Sequence, residues 1–153
     1  MSTRTDWITR AETGADTPAI RETDLAAFDT PLEADLVEAL RADSSWIDGL
    51  SIVVTDQDGR LVGHALLTRC HIDDTPALCL APVAVLPEYQ GTGAGSAAVR
   101  TAACNSRHRD HRGGSEHQAP FPLKWFVGHR HRHCYRDPLD RHLSGLLDPG
   151  PGR

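Results

Sequence analysis

Residues 84 to 99 read AVLPEYQGTGAGSAAV, with glycine at alternate positions 91, 93 and 95. These glycines strip side chains from a turn between an apolar run and an alanine-rich one. A glycine turn that feeds a helix N-terminus points unpaired N–H groups and the positive end of the helix dipole, about half a charge, at whatever lies before it. That arrangement suits an anion, phosphate above all. The same spacing also serves a tight strand-to-helix turn that holds nothing, and the residues alone leave both readings open. Other glycine signatures fit less well. The G-x-G-x-x-G pattern needs a third glycine where Ser96 stands, and the P-loop needs a Gly-Lys-Ser/Thr run that is absent. Ser96 is not a nucleophile elbow either, because G-x-S-x-G requires glycines where Ala94 and Ala98 stand.

The elements that position this turn alternate along the first two thirds of the chain. WITRAET (7–13) reads as a short strand, and Asp16 with Pro18 opens a helix through AIRETDLAAF. Pro31 opens a second helix, on which Leu32, Leu36, Val37 and Leu40 recur at helical spacing against acidic Glu33, Asp35 and Glu38. LSIVVTD (50–56), the pair Asp58-Gly59 and RLVGHALLTRCHI (60–72) make a hairpin. After DDTPA, the run LCLAPVAVL (78–86) is a third strand whose near-continuous apolarity implies that both faces are covered. Pro82 within it removes a ladder donor, which calls for an edge, a bulge or a strand drawn away from a neighbour. A helix is expected from about Gly93 to Ala103.

Composition bounds the rest. With 153 residues, 39% of them apolar, one α/β domain is expected. No basic leader precedes an apolar segment and no apolar stretch nears 18 residues, so a cytoplasmic chain without a membrane partner is expected. Cys70, Cys79, Cys104 and Cys134 match no metal or redox spacing and are too sparse for a disulfide scaffold. Residues 1–103 hold seven Lys/Arg against sixteen Asp/Glu, whereas 104–153 hold nine against five together with seven of the nine histidines. Such a break marks a domain boundary or a segment of different origin.

The spacing Gln90, Gly93, Gly95 after VAVLPEY resembles motif A of the GNAT superfamily of acetyl-CoA-dependent N-acetyltransferases. LAPVAVLPEYQGTGAGSAAVRTA is similar to the bacterial, YhbS-like branch in particular, and the likeness runs back through PLEADLVEALRADSSWIDGLSIVVTDQDGRLVGHALLT, covering roughly 7–102. The resemblance implies an α/β fold with a GNAT-like mixed central sheet and flanking helices. It implies that Val83, Ala84 and Val85 bind the pantetheine arm of acetyl-CoA through backbone groups, along a strand edge parted from its neighbour. Gln90, Gly91, Thr92, Gly93, Ala94, Gly95 and Ser96 would give N–H groups to the pyrophosphate, with room left by the three glycines. The implied reaction is direct attack of a small-molecule or peptide amine on the thioester, an oxyanion held by an N–H near Val85, and protonation of the departing thiolate. The other reading is a non-catalytic or degenerate acyl-CoA-binding protein. A homodimer is the one assembly entertained.

Candidates for the acid and base are Glu88, beside the glycine turn, and His64, within the hairpin. For each a plainer role stands alongside: an exposed acid before a turn, and a histidine capping a local hydrogen bond. Tyr89 reads as packing. Asp35 and Glu38 either attract a cationic amine or form a solvated face. Residues 7–103 thus read as the GNAT-like unit and 104–153 as an atypical Arg/His/Pro/Gly-rich tail that departs from the family, as a shifted reading frame would produce, leaving the sheet incomplete and the tail loosely ordered. Within it LKWFVGH (123–129) is the one strand candidate. A metal site at His129, His131, His133 and Cys134 and a nucleic-acid-binding tail are both disfavoured by spacing and charge, so no metal and no nucleic acid are expected. HRD at 108–110 stands without any other kinase element.

Overall fold

The computed structural model describes residues 6–109. Its order is β1 (Ile8–Ala11), a 3-10 turn (Gly14–Asp16), α1 (Thr17–Ala27), α2 (Leu32–Arg41), β2 (Ser51–Thr55), β3 (Leu61–Ile72), β4 (Thr75–Val85), a second 3-10 turn (Pro87–Tyr89) and α3 (Ala94–Arg109). The four strands lie in sequence order, each antiparallel to the next. This is the α/β architecture expected from the sequence, with helices on both faces of the sheet.

Pairing across strands sorts the side chains. Ile52, Val54, Ala65, Leu67, Leu78 and Leu80 share one buried cluster with Ala94, Ala98 and Ala102 of α3. The three alanines recur every four residues, so α3 presents a stripe of methyl groups and its backbone lies close to the sheet. Ile20 of α1 and Val37 of α2 pack with Val53 and Leu66 on the opposite face. Burying a Leu or Ile side chain contributes about 1.5–3 kcal/mol, so the core rests on these two clusters.

Several expectations are corrected in detail. Of the four apolar α2 positions Leu32, Leu36, Val37 and Leu40, Val37 and, in part, Leu40 turn inward, while Leu32 is 70% and Leu36 45% exposed. At 3.6 residues per turn, Leu32 and Leu36 fall on the side away from Ala34 and Val37, and the small Ala34 is what lets the helix approach α1 and the sheet. Strand β4 begins at Thr75, because Asp73 adopts a positive φ of 53° and turns the chain with Asp74 alone. Around Pro82 the register steps from Val83↔Ala65 to Leu80↔Leu67, so β4 carries one extra residue, a bulge. Among the described residues β4 is also an edge strand, and both devices accommodate a residue with no N–H. From Ala77 to Val85 every residue is buried or half-buried. Helix α3 runs to Arg109, six residues past the expected end and across the point where composition changes. The tail features at 110–153, including the 123–129 strand candidate, the histidine cluster and Cys134, lie outside the described residues.

Candidate functional site

Strand β4 delivers the chain to the glycine turn. Val83, Ala84 and Val85 pair with Ala65, His64 and Gly63 of β3, and among the described residues the other edge of β4 pairs with nothing. Leu86 N–H donates to Val62 O at 2.9 Å, the last tie before the chain leaves the sheet. Pro87–Tyr89 then makes one 3-10 turn. The Gln90 side-chain amide donates back to Val85 O at 3.1 Å, bracing the turn against the strand end.

The three glycines have two different physical origins. Gly91 and Gly93 have φ of 78° and 94°, the left-handed region that residues with a Cβ rarely enter. A Cβ on Gly91 would meet no atom within 4 Å, and one on Gly93 only Trp7 Nε1 at 4.0 Å, so conformation rather than crowding demands glycine there. Gly95 is the reverse. Its backbone is ordinary helix, but a Cβ would stand 3.3 Å from Val85 Cγ2 and 3.7 Å from Val83 Cγ1. At Gly95 packing by itself calls for glycine, because the missing side chain lets α3 settle on β4.

Helix α3 begins with Ala97 N–H donating to Gly93 O at 2.9 Å. The N–H groups of Ala94, Gly95 and Ser96 precede that first intrahelical bond and sit at the positive end of the dipole. Thr92 is held from both sides, its hydroxyl donating to Tyr89 O and its carbonyl accepting from Trp7 Nε1 at 3.3 Å. Trp7 meets the Tyr89 ring edge-on at 5.8 Å, and the Arg60 guanidinium lies over the Tyr89 ring at 5.7 Å. Tyr89 thus packs, as expected, and with Trp7 it pins the turn to the start of β1. A turn fixed this way offers N–H groups in a set geometry and suits a bound phosphate.

The acid–base candidates are placed apart. Glu88 is exposed beside the turn and pairs with Arg60 at 3.0 Å. Its own backbone N–H first, and Arg60 after it, hold the carboxyl below the usual carboxylate range, which makes it a poor proton acceptor. His64 is wholly buried on the face covered by α1, with Nε2 2.8 Å from Ser51 Oγ. Asp35 and Glu38 are engaged by Arg21 at 2.9 and 3.0 Å, so neither is the unpaired acid that a cation would seek. The sequence reading passed over Asp24, Glu12 and Ser51, which surround His64, and Arg41, which pairs with Glu12. A signal existed for Asp24: Ile20, Thr23 and Asp24 recur at helical spacing and all three are buried.

Cys70, Cys79 and Cys104 are free thiols, and burial first, then Cys70, pushes the Cys79 thiol up. Among the described residues no group of three His, Cys, Asp or Glu is placed to hold a metal ion, and no helix is long and apolar enough to cross a membrane.

Comparison with known proteins gives this geometry a context. Residues 17–119 match the acetyltransferase (GNAT) family, a span that starts later than the 7–102 of the motif resemblance and ends beyond it. The chain is 43% identical over 91 residues to the uncharacterized N-acetyltransferase YjhQ of Escherichia coli K12. That match covers 57% of this chain and 50% of YjhQ, so the chain spans about half the length of this curated relative. A GNAT family acetyltransferase from Brucella melitensis, solved in complex with acetyl-CoA, is 30% identical with a TM-score of 0.62, over 71% of this chain and 73% of that one. YhbS from Escherichia coli, solved in complex with CoA, shares the fold at 24% identity and a TM-score of 0.61, over 71% of this chain and 61% of that one. By its strand-to-helix glycine turn and by the length of chain that matches, the protein belongs to the acetyltransferase (GNAT) family.

Proposed function

We propose that this chain is an acetyl-CoA-dependent N-acetyltransferase that transfers an acetyl group to a small-molecule or peptide amine by direct attack. One observation carries the reading: the outer edge of β4 at Val83–Val85, unpaired among the described residues, runs directly into a turn that ends in the first N–H groups of α3. The edge suits pairing with the amide-bearing pantetheine arm, and the turn suits the pyrophosphate. Gln90, Gly91, Thr92, Gly93, Ala94, Gly95 and Ser96 are the residues assigned to it, with Gly95 acting through helix placement. In this reading the β4 backbone positions the thioester, an N–H near Val85 faces the developing oxyanion, and most of the rate comes from placing two substrates. Relatives of bacterial origin favour a bacterial setting, and the proposed compartment is the cytoplasm.

The pairing of Glu88 with Arg60 and the burial of His64 favour a second reading, acyl-CoA binding without turnover, because neither group stands free at the turn. Calorimetric titration with acetyl-CoA, combined with a thiol-release assay over a panel of amines, separates the two. Binding with turnover supports the enzyme, binding alone supports the second reading, and no binding overturns both.

A further inference from the structure

Thr92 sits between the two glycines of the turn that hold positive φ, Gly91 at 78° and Gly93 at 94°. A peptide group turns over by a paired change in the ψ of the residue before it and the φ of the residue after it, and glycine takes either sign of φ about equally well. Gly93 by itself therefore lets the Thr92–Gly93 peptide group point its carbonyl to either side. Because the peptide is planar and trans, its C=O and N–H point in opposite directions. Whatever holds Thr92 O also aims the Gly93 N–H.

Trp7 holds that carbonyl. Its Nε1–H donates to Thr92 O at 3.3 Å from 85 residues away in sequence. The indole is itself kept in place: Ile8 beside it pairs with Thr55 in the sheet, its ring meets Tyr89 edge-on at 5.8 Å, and both aromatic residues pack against the core cluster that includes Ala94 and Ala98 of α3. Arg60 covers the Tyr89 ring at 5.7 Å. On the other side of Thr92, its N–H and its hydroxyl both donate to Tyr89 O, the first at 3.4 Å. Gly93 O is committed as well, accepting Ala97 N–H at 2.9 Å in the first bond of α3. With Thr92 O turned to the indole, the Gly93 N–H is directed away from Trp7 and comes immediately before the Ala94, Gly95 and Ser96 donors of the helix start.

We propose that Trp7 is a positioning residue for acetyl-CoA: its indole N–H holds the Thr92–Gly93 peptide group, before the cofactor arrives, in the orientation that offers the Gly93 N–H to the pyrophosphate. The inference rests on the acetyltransferase reading, which assigns Gly93 to that group. Ordering a mobile backbone on binding costs conformational entropy, and glycine loses more of it than any other residue. A turn already held by Trp7 avoids that cost when the ligand binds. Trp7 acts through Thr92 and neither gives nor takes a proton, so it governs how tightly the cofactor is held and not how fast the bound thioester reacts.

The test compares the full chain with its Trp7→Phe variant, which keeps a ring beside Tyr89 and removes the donor. Acetyl-CoA binding is followed by calorimetry, turnover by kcat and by KM for each substrate, and the Gly93 amide by 15N NMR. Expected in the variant are an acetyl-CoA affinity lower and an acetyl-CoA KM higher by about fivefold or more, the size of one lost hydrogen bond, with kcat at saturation and the amine KM within about twofold of wild type. Acetyl-CoA should move the Gly93 amide proton of the wild type downfield, as a new hydrogen bond does, and move it less in the variant. A folded variant with wild-type affinity overturns the inference, as does a weaker affinity with an unchanged Gly93 shift, or a kcat that falls as far as KM rises. Should the variant fail to fold, the wild-type spectra decide: a Gly93 amide that acetyl-CoA leaves unmoved overturns the inference, and one that moves while the Trp7 indole N–H stays protected from exchange supports it. Wild-type protein that binds no acetyl-CoA overturns the acetyltransferase reading together with the inference, whereas wild-type binding with an indifferent variant overturns the role of Trp7 alone.

Discussion

Val85 Cγ2 stands 3.3 Å from where Gly95 would carry a Cβ, so the last glycine of the turn answers to the strand beneath it. Side-chain bulk at position 95 lifts α3 from β4 and moves the N–H groups that the turn aims. Gly95→Leu is expected to destabilise the fold by about 1–3 kcal/mol through overpacking and to weaken acetyl-CoA binding. Urea denaturation and calorimetry measure the two effects, and wild-type stability with wild-type affinity would show that Val85 and Val83 simply rotate away.

Gly93 makes the opposite demand. Gly93→Ala costs about 1–3 kcal/mol in backbone strain alone at its φ of 94°, with no new steric contact nearer than Trp7 Nε1 at 4.0 Å. Gly93→Glu adds a negative charge at the helix N-terminus where a pyrophosphate is proposed. Acetyl-CoA affinity should fall at least about tenfold further in the Glu than in the Ala variant, roughly 1.4 kcal/mol, with far-UV circular dichroism unchanged. Equal affinities for the two folded variants would remove the pyrophosphate from this position.

Asp16 ties the start of α1 to β1. Its carboxylate receives Arg10 Nη1 and Nη2 at 2.7 and 2.9 Å and Thr13 N–H at 2.7 Å. Arg10 first, opposed by burial and helped by Thr13, holds the carboxyl far below the usual carboxylate range. A depressed folded value means that the stabilisation is complete above the unfolded value, about 3.9, and is lost as pH falls through the folded one. Because Arg10 is 46% exposed, screening limits the effect, and Asp16→Asn is expected to cost about 1–2 kcal/mol at neutral pH. Chemical denaturation at neutral and acidic pH should show that gap closing below about pH 4; a gap independent of pH would mean that packing, not ionisation, carries it.

The acids of α2 are expected to matter little. Arg21 already bridges Asp35 and Glu38 at the surface, and exposed pairs contribute about 0–1 kcal/mol. The double variant Asp35→Asn, Glu38→Gln should leave the apparent KM for cationic amines and its salt dependence unchanged. A clear rise in KM at low salt would restore these acids as an acceptor-steering face.

What the sequence determined by itself was local. Period-3.6 and period-2 patterns, the proline starts at Pro18 and Pro31, the D-G turn and the unusual glycine spacing act within a few residues of themselves, so the order of elements and the strand-to-turn-to-helix motif are legible without coordinates. Pro82 by itself called for an edge, a bulge or a parted strand, because a missing N–H must be accommodated wherever the strand lies. Tertiary structure decided what depends on residues far apart in sequence. Gly95 and Gly93 read identically in the chain, and only the approach of Val85 tells a glycine required by packing from one required by φ. Leu32 and Leu36 looked like core by spacing, yet the face that α1 and the sheet offer to α2 is met by Ala34 and Val37 instead. Asp24 and His64 are forty residues apart in sequence, and nothing local shows that an acid on a helix and a histidine on a strand end up buried 3.7 Å from each other. Burial and charge pairing are properties of the assembled layers, which is why the phosphate-suited turn could be read from residue types and the polar cluster behind Ala84 could not.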